Sequence, residues 1–347
     1  MKKIVISGYY GFDNIGDELV LQEIIRQIRQ LHAPVELTIL SADPETTEKK
    51  YQVKAVNRWS LLQVLKAVAG SDILISGGGS LLQDTTSKNG ILYYLGIIFS
   101  GQIFSKKVMI LSQGIGPVSH KRNRNLVRRL LSKVDYLSVR DKESMTCLKE
   151  MGIKREIVLS ADPVFLLEKK ESGTEALWQE LEIDPDKKLI IIALRQWDHD
   201  PEVVAAVETF SRTFSEEDYQ VRYAAMHHPQ DLDFLKEYVE PKKLINRKIN
   251  EEEMVSLIAG SEIVIGMRLH ALIIAASQEK DFLAISYDPK VTVLDKECYG
   301  DEILITTANC NAGLLQRKYE KIKKQPVSLS ESKQRASLPF AYSDTIV

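Results

Sequence analysis

Short apolar runs alternate with longer amphipathic stretches along almost the whole chain. In the first half, the strand-like runs are KKIVIS, VELTIL, VKAV, DILIS, KVMILS, YLSV and EIVLS, with helical patterns such as DELVLQEIIRQIRQL and NLVRRLLSKV between them. The second half repeats the scheme with KLIIIAL, QVRYAAM, KLIN, EIVIG and DFLAIS as strands and VVAAVETFSRTF, DLDFLKEYV, EEEMVSLIAG and LHALIIAAS as helices. Such alternation builds parallel sheets covered by helices on both faces. The pattern therefore predicts two doubly wound α/β domains with a ligand cleft between them.

The apolar pattern breaks once, in the charged segment LEKKESGTEALWQELEIDPDKK. A chain of 347 residues also fits two domains at roughly 150 residues each. We predict an N-terminal domain at 1–172, a C-terminal domain at 173–325 and a C-terminal tail at 326–347. From about Lys318 the chain is polar and basic, YEKIKKQPVSLSESKQR, which indicates a helix that fades into disorder.

Composition excludes several classes of function. A net charge of −2 gives no general electrostatic reason to bind nucleic acid. The three cysteines lack metal-ligand spacing, so we expect neither a metal site nor a disulfide framework, and a reducing cytoplasm is the expected compartment. The N-terminal MKKIVISGYY reads as a first strand rather than a signal peptide, because glycine and tyrosines interrupt its apolar run.

The longest uncharged stretch is Gly90–Phe104, which is shorter than the roughly 20 residues that span a bilayer. Two interpretations stay open: a helix buried in the core or between subunits of a homo-oligomer, or a helix that docks on the inner face of the membrane. The basic segment His120–Lys133 is either a solvated helix face or a contact for anionic lipid or diphosphate.

Glycine-rich junctions follow two strands of the first half. The turn GYYGFDNIGDE offers Asn14, Asp17 and Glu18 to sugar hydroxyls, or it is an N-capped turn. The turn GGGSLLQD implies that a ligand or a helix comes close to Gly79, and its amide Gln83 and carboxylate Asp84 are groups that bind sugars. We expect this half of the chain to hold an acceptor.

Cations follow successive strands of the second half. Arg195 ends KLIIIALR, Arg268 and His270 lie in GMRLHALIIA, and Lys290 lies in SYDPKV. A helix N-terminus with arginines nearby favours an anion, and the histidine can exchange a proton near neutral pH. Arg140 ends a strand of the first half, where it either points into the cleft or pairs with a nearby acid.

These motifs together resemble the polysaccharide pyruvyl transferase family. The likeness extends from GYYGFDNIGDE through GGGSLLQD, GIGP, VRDKES and ADPVF to GMRLHALIIA and SYDPKV, and it is greatest to members of the CsaB type, which modify secondary cell-wall polymers that retain S-layer proteins. The histidine in AAMHHPQDL stands where the family pattern has a glutamine.

The resemblance implies a GT-B-like fold of two Rossmann-like domains and a pyruvate ketal as product. The donor would be the co-substrate phosphoenolpyruvate, with no further cofactor. The acceptor would be a lipid-diphosphate-linked saccharide that contains N-acetylmannosamine, modified as a 4,6-ketal in the cytoplasm. By position in the family motifs, His270 and Arg140 are catalytic, and Arg268, Leu269 and Lys290 bind the donor.

The acceptor would then contact glycine-rich turns and polar groups, for which the candidates are Asn14, Asp17, Gly79, Gln83 and Arg195. His270 would act as general acid and base on the enol phosphate of the donor. Two rival functions remain. The first is a GT-B glycosyltransferase that uses a nucleotide sugar, although the second half lacks an obvious Glu-x₇-Glu pair. The second is a non-catalytic sugar-binding protein, which would need aromatic platforms.

Overall fold

The computed structural model describes residues 1–31, 33–84, 90–170, 175–300, 303–324, 327 and 330–341. These residues form two compact units. Unit 1 comprises Met1–Leu166 together with the C-terminal segment from Glu331, and unit 2 comprises Leu167–Ser330. The division falls at the start of the charged segment in which the sequence pattern breaks.

Unit 1 is built on a seven-stranded sheet in the order β3-β2-β1-β4-β5-β6-β7, with every neighbouring pair parallel. Burial explains the strands, since Ile4, Ile6 and Ile75 of the central pair are fully buried. The strands are β1 (Lys2–Tyr10), β2 (Val35–Ser41), β3 (Lys54–Asn57), β4 (Ile73–Gly77), β5 (Lys107–Gln113), β6 (Tyr136–Val139) and β7 (Val158–Leu159).

Helices connect these strands, and several start at a side-chain cap predicted by sequence rules. Asn14, Asp43 and Asp141 each accept a backbone N–H bond at a helix start. The helices of the N-terminal part are α1 (Ile15–Gln30), α2 (Pro44–Tyr51), α3 (Leu61–Gly70), α4 (Gly90–Ile103), α5 (Lys121–Leu131) and α6 (Lys142–Glu150), followed by a 3-10 turn at Pro163–Leu166.

Unit 2 has a four-stranded parallel sheet in the order β11-β10-β8-β9. Its strands are β8 (Lys188–Ala193), β9 (Tyr219–Tyr223), β10 (Ser261–Gly266) and β11 (Asp281–Ala284). Its helices are α7 (Glu175–Glu180), α8 (Asp200–Ser211), α9 (Gln230–Tyr238), α10 (Glu251–Ala259), α11 (Leu269–Ser277), α12 (Pro289–Tyr299) and α13 (Ala312–Ile322), and α14 (Ser330–Ala341) ends the described chain.

The predicted class of two Rossmann-like α/β domains is confirmed, and the helix LHALIIAAS has the predicted bounds. The predicted strand KLIN is wrong. Only an isolated bridge between Tyr223 and Leu244 forms there, because Pro241–Lys243 winds into a 3-10 turn immediately before it. A run of four residues with a lysine and an asparagine buries too little apolar surface to extend the sheet.

Candidate active site

The carboxyl edge of the unit 2 sheet gathers the predicted cations. In doubly wound sheets, ligands bind beyond the carboxyl ends of the strands at the point where the strand order reverses. That point lies between the central strands β8 and β10. The N–H of Met267 donates to the carbonyl of Ala193 at 3.0 Å, which holds the two loops side by side. Arg195 and Arg268 leave from these loops, so the structure brings both to the edge where a ligand is expected.

Arg268 is oriented by a carboxylate that sequence reasoning missed. It is the N-cap residue of α11, with extended backbone. Its Nε donates to Oδ2 of Asp231 at 2.8 Å, and its Nη2 donates to Oδ1. Asp231 is buried at the start of α9 and also accepts the backbone N–H of His227 at 3.1 Å. The two-bond pair fixes the plane of the guanidinium and leaves Nη1 outside the pair.

His270 lies in the first turn of α11, two residues after Arg268, and its side chain is half-buried. Backbone N–H groups in a first helical turn, together with the helix dipole, stabilise negative charge. Leu269 precedes it with its side chain buried, so Leu269 can offer a ligand only its backbone N–H. An anion at this helix start would lie within reach of an imidazole that can donate a proton.

Arg195 and Lys290 meet around one tyrosine. Arg195 Nη1 donates to the hydroxyl of Tyr287 at 3.1 Å, and its guanidinium lies 4.8 Å from that ring and 5.2 Å from the ring of Trp197. The Nζ of Lys290 lies 5.8 Å from the same tyrosine ring and 3.2 Å from a carboxylate oxygen of Asp288. Arg195, predicted on the acceptor side, therefore lies in unit 2 with the predicted donor residue Lys290.

Unit 1 carries a different kind of turn at the corresponding edge. Its strand order reverses between β1 and β4. After β4, Gly78 and Gly79 adopt φ of +67° and +65°, and a Cβ on Gly78 would lie 1.9 Å from Cγ1 of Val20. A Cβ on Gly79 would lie 2.8 Å from Oδ1 of Asp17. The glycines thus let the β4 turn approach α1 and place the half-buried Asp17 against the backbone, so two predicted acceptor residues are neighbours.

An aromatic cluster lies beside this turn. Tyr9 and Phe12 stack with ring centroids 4.1 Å apart, and Trp59, which is 64% exposed, lies 6.3 Å from Phe12 and 6.2 Å from Tyr93. Burial and the neighbouring Asp17 raise the pKa of Tyr9, and Arg58 opposes them. These phenols therefore stay protonated at neutral pH. Flat rings with hydroxyl donors form a platform suited to a sugar ring.

A buried arginine lies under the aromatic cluster. The guanidinium of Arg58 is 4.6 to 5.5 Å from the rings of Phe12, Trp59, Tyr93 and Tyr94. Its Nη1 donates to the carbonyl of Gly8 at 2.8 Å, and its Nη2 donates to the hydroxyl of Tyr94 at 3.2 Å. Burial raises the pKa of Tyr94 to about 12 despite this cation. Arg58 thus fixes the rings, and the alternation pattern of the sequence gave no sign of the cluster.

Arg140 is held inside unit 1. Its Nη1 lies 3.1 Å from Oδ2 of Asp162, its Nη2 donates to Oγ of Ser80 at 2.8 Å, and its Nε lies 3.5 Å from Asp141. Burial tends to lower its pKa, but the two carboxylates outweigh it and raise the pKa above the ordinary arginine value. A Cβ on Gly114 would lie 2.9 Å from both Nε and the serine Oγ. Pairing with an acid is the alternative that the structure adopts, and a catalytic role for Arg140 stays a prediction.

Two polar side chains of the first glycine turn, Asn14 and Glu18, make hydrogen bonds within unit 1. Asn14 caps α1 by accepting the N–H of Gly16 at 3.2 Å. Glu18 is buried, and it accepts the N–H of Gly11 and the hydroxyl of Tyr51, both at 2.7 Å. These bonds tie Glu18 to its own chain, and its contact with sugar hydroxyls stays a prediction.

The carboxylate Asp84 is likewise buried. It accepts the N–H groups of Ser119 and His120 and the amide of Asn123, and these bonds lower its pKa although burial alone would raise it. Its oxygens hold the start of α5, and its contact with a sugar stays a prediction. Gln83 beside it is half-buried. Its role as an acceptor residue stays a prediction.

Among the described residues, no three His, Cys, Asp or Glu side chains are grouped so that they could hold a metal ion. The candidate binding groups are the cations and helix N-terminus of unit 2, and the glycine turn, Asp17 and aromatic cluster of unit 1.

Solved structures share this fold at low sequence identity. The UDP-GlcNAc 2-epimerase of Neisseria meningitidis bound to UDP-GlcNAc aligns over 100% of both chains with a TM-score of 0.66 and 12% identity. Anabaena Alr3699/HepE in complex with UDP-glucose aligns over 100% of both chains with a TM-score of 0.63 and 11% identity. These likenesses show a GT-B-like fold of two Rossmann-like domains and nothing about substrate.

Sequence comparison is more specific. The amylovoran biosynthesis protein AmsJ of Erwinia amylovora is 21% identical, with 83% of this chain and 84% of that protein covered. The family model of the polysaccharide pyruvyl transferases matches residues 14–289, which include Gly78 and Gly79 of unit 1 and Arg195, Arg268 and His270 of unit 2. The chain is therefore a transferase that belongs to the polysaccharide pyruvyl transferase family.

Proposed function

We propose that this chain transfers pyruvate from phosphoenolpyruvate to two hydroxyls of one sugar in a lipid-diphosphate-linked cell-wall saccharide. The sugar is N-acetylmannosamine, the product is a 4,6-linked ketal, and the reaction occurs in the cytoplasm before the polymer is exported to anchor S-layer proteins. The observation that carries the proposal is the start of α11, where Arg268 is fixed by Asp231 and followed by His270.

The proposal that phosphoenolpyruvate is the donor is supported by the positive charge at the carboxyl edge of unit 2. Phosphoenolpyruvate carries a carboxylate and a phosphate, and planar guanidinium groups bind both with paired hydrogen bonds. Arg268 offers Nη1, the first turn of α11 offers backbone N–H groups, and Arg195 and Lys290 supply positive charge around Tyr287. Because Asp231 neutralises Arg268, the phosphate also needs the helix dipole and the second pair of cations.

The proposed reaction gives His270 the proton transfers and the cations of unit 2 the stabilisation of the leaving phosphate. His270 delivers a proton to the methylene carbon of the enol phosphate, and a sugar hydroxyl attacks the cationic carbon that results. The proton of that hydroxyl restores the histidine. The carbon–oxygen bond to phosphate then breaks, the second hydroxyl adds, and its proton leaves with the phosphate. The cations stabilise the departing phosphate, an electrostatic role that commonly supplies a large part of the rate enhancement.

The proposal that a saccharide is the acceptor is supported by polar and aromatic groups of unit 1. Asp17 against Gly79 supplies a carboxylate for hydroxyl groups, and the ring of Trp59 with Tyr9 and Phe12 supplies a stacking surface. This surface is the kind of aromatic platform that a sugar-binding protein needs. In a transferase it serves to position the acceptor.

The test is direct. Purified protein is incubated with phosphoenolpyruvate or with UDP-sugars, each in the presence of a synthetic lipid-diphosphate disaccharide that contains N-acetylmannosamine, and the acceptor is followed by mass spectrometry. We expect a mass gain of one pyruvyl ketal and release of phosphate only with phosphoenolpyruvate. A gain of one hexose-type unit from a UDP-sugar would contradict the proposal and favour a glycosyltransferase. A glucosamine-containing acceptor in place of the mannosamine isomer tests the choice of sugar separately.

A further inference from the structure

The outer face of unit 1 opposite α1 is unusual in its charge. Helix α4 packs between α3 and α5, and the three contribute to one core. Together these helices contain six Lys and Arg, one in α3 and five in α5, and no Asp or Glu. The whole chain, by contrast, has a net charge of −2. Positive charge is therefore concentrated on this helix layer.

The same layer exposes large apolar side chains. Helix α4 has no charged residue, and its inner side buries Ile91, Leu95 and Ile98. Its outer side presents Gly96, Phe99 and Ile103 at helical spacing. Five apolar side chains on the layer are 38–69% exposed, namely Leu61, Leu62, Phe99, Ile103 and Phe104. Groups of exposed apolar residues of this kind mark interaction surfaces.

The apolar and basic parts are adjacent. Nε2 of Gln102, at the end of α4, donates to the carbonyl of Leu130, at the end of α5, at 2.8 Å. This bond joins the C-terminal ends of the two helices, so the exposed Phe99 and Ile103 of α4 and the exposed Arg128 and Arg129 of α5 lie on neighbouring helices. Two carboxylates near α5 accept hydrogen bonds from backbone N–H groups. Asp84 accepts N–H bonds at the start of the helix, and Asp135, just after it, accepts the N–H of Val108 at 2.7 Å.

We propose that the α3–α4–α5 face docks on the surface of an anionic lipid bilayer. Apolar side chains would enter the headgroup boundary, while the arginines and lysines of α5 would contact lipid phosphates. Charge complementarity selects this occupant over a second copy of the chain, because a symmetric dimer through this face would join two acid-free surfaces. Among the described residues, no helix is long and apolar enough to cross a membrane.

The surface is tested by cosedimentation of the full chain with vesicles of phosphatidylcholine alone or mixed with phosphatidylglycerol. We expect binding to the anionic vesicles that weakens as salt screens the charges. Phe99→Ser with Ile103→Ser should weaken binding about tenfold or more, since both apolar groups lose burial. Arg128→Gln with Arg129→Gln should weaken it about fivefold per residue at low salt.

Two control variants match these changes on unit 2. Tyr238→Ser removes a similarly exposed aromatic group, and Lys236→Gln with Lys242→Gln removes two exposed cations. The controls should bind as the wild type does. Absence of binding at low salt, or equal losses in the controls, would overturn the proposal. A dimer in sedimentation velocity that the Phe99 and Ile103 changes dissociate, without vesicle binding, would assign the face to a second copy instead. Vesicle binding is measured without pyruvyl transfer. The docking proposal can therefore be wrong while the proposed function is right, and the reverse.

Discussion

The carboxyl edges of the two units share an architecture and differ in chemistry. Unit 1 closes its edge with left-handed glycines, buries Arg58 and Arg140, and places aromatic rings and the half-buried carboxylate of Asp17 beside the glycine turn. Unit 2 leaves Arg195, Arg268 and Lys290 partly exposed around helix starts. Parallel sheets supply the same crevice in both, so the residues after each strand decide what binds. The difference indicates an anionic ligand for unit 2 and a neutral, ring-shaped ligand for unit 1.

The largest expected effect is on the proposed proton donor. His270→Ala should lower kcat by about 10²- to 10⁴-fold, as loss of a general acid usually does, and leave phosphoenolpyruvate binding within a small factor. Steady-state kinetics and donor titration measure the two quantities. His120→Ala, a histidine at the start of α5 in unit 1, is the control and should keep full activity. A His270→Ala enzyme with nearly normal kcat would remove this histidine from the mechanism.

The second test concerns the Arg268–Asp231 pair. Arg268→Ala should raise the KM for phosphoenolpyruvate by about 10- to 100-fold, since a hydrogen bond to a charged group is lost. Arg268→Lys should recover little, because a lysine cannot reproduce the planar fork. Asp231→Asn should show a smaller rise in the same constant. A double-mutant cycle on KM should give effects that are far from additive, and strict additivity would mean that Asp231 does not act through the arginine.

The third test asks whether a side chain after a central strand destabilises unit 1 more than unit 2. Gly78→Ala should destabilise the fold by about 1–3 kcal/mol, because its φ is left-handed and the new Cβ would collide with Val20. Gly266→Ala at the end of β10 should cost less, since its Cβ would meet Cδ2 of Leu272 at 3.3 Å. Thermal unfolding of the two variants gives the comparison. Equal changes in Tm would show that the two edges tolerate side chains alike.

The smallest expected effect is on the aromatic cluster. Trp59→Ala should raise the KM for the saccharide acceptor about three- to tenfold and leave the KM for phosphoenolpyruvate unchanged, because only stacking area is lost. Trp59→Phe should restore part of the loss. Tyr238→Ala, an exposed aromatic residue of unit 2, is the matched control. An effect of Trp59→Ala on the donor constant alone would place the donor, rather than the acceptor, at unit 1.

Sequence patterns predicted most of the fold because strands of a parallel sheet are buried on both faces and read as apolar runs. They failed at KLIN, where a strand forms only if it has enough apolar residues to join the sheet. They also located the cations of unit 2, since side chains that follow successive parallel strands must emerge at the same edge. The partner Asp231 could not be recognised, because it lies 37 residues from Arg268 and one acidic residue at a helix start looks like any other.

The sequence alone determined the alternation of strands and helices, the glycines and the positions of Arg195, Arg268, His270 and Lys290, because these depend on local periodicity. Only the tertiary structure decided which polar groups remain available to a ligand. It buried Glu18, Asp84 and Arg140 in bonds to their own chain and gathered rings from three separate segments around Arg58. Burial and pairing depend on contacts between distant residues, and no local pattern encodes them.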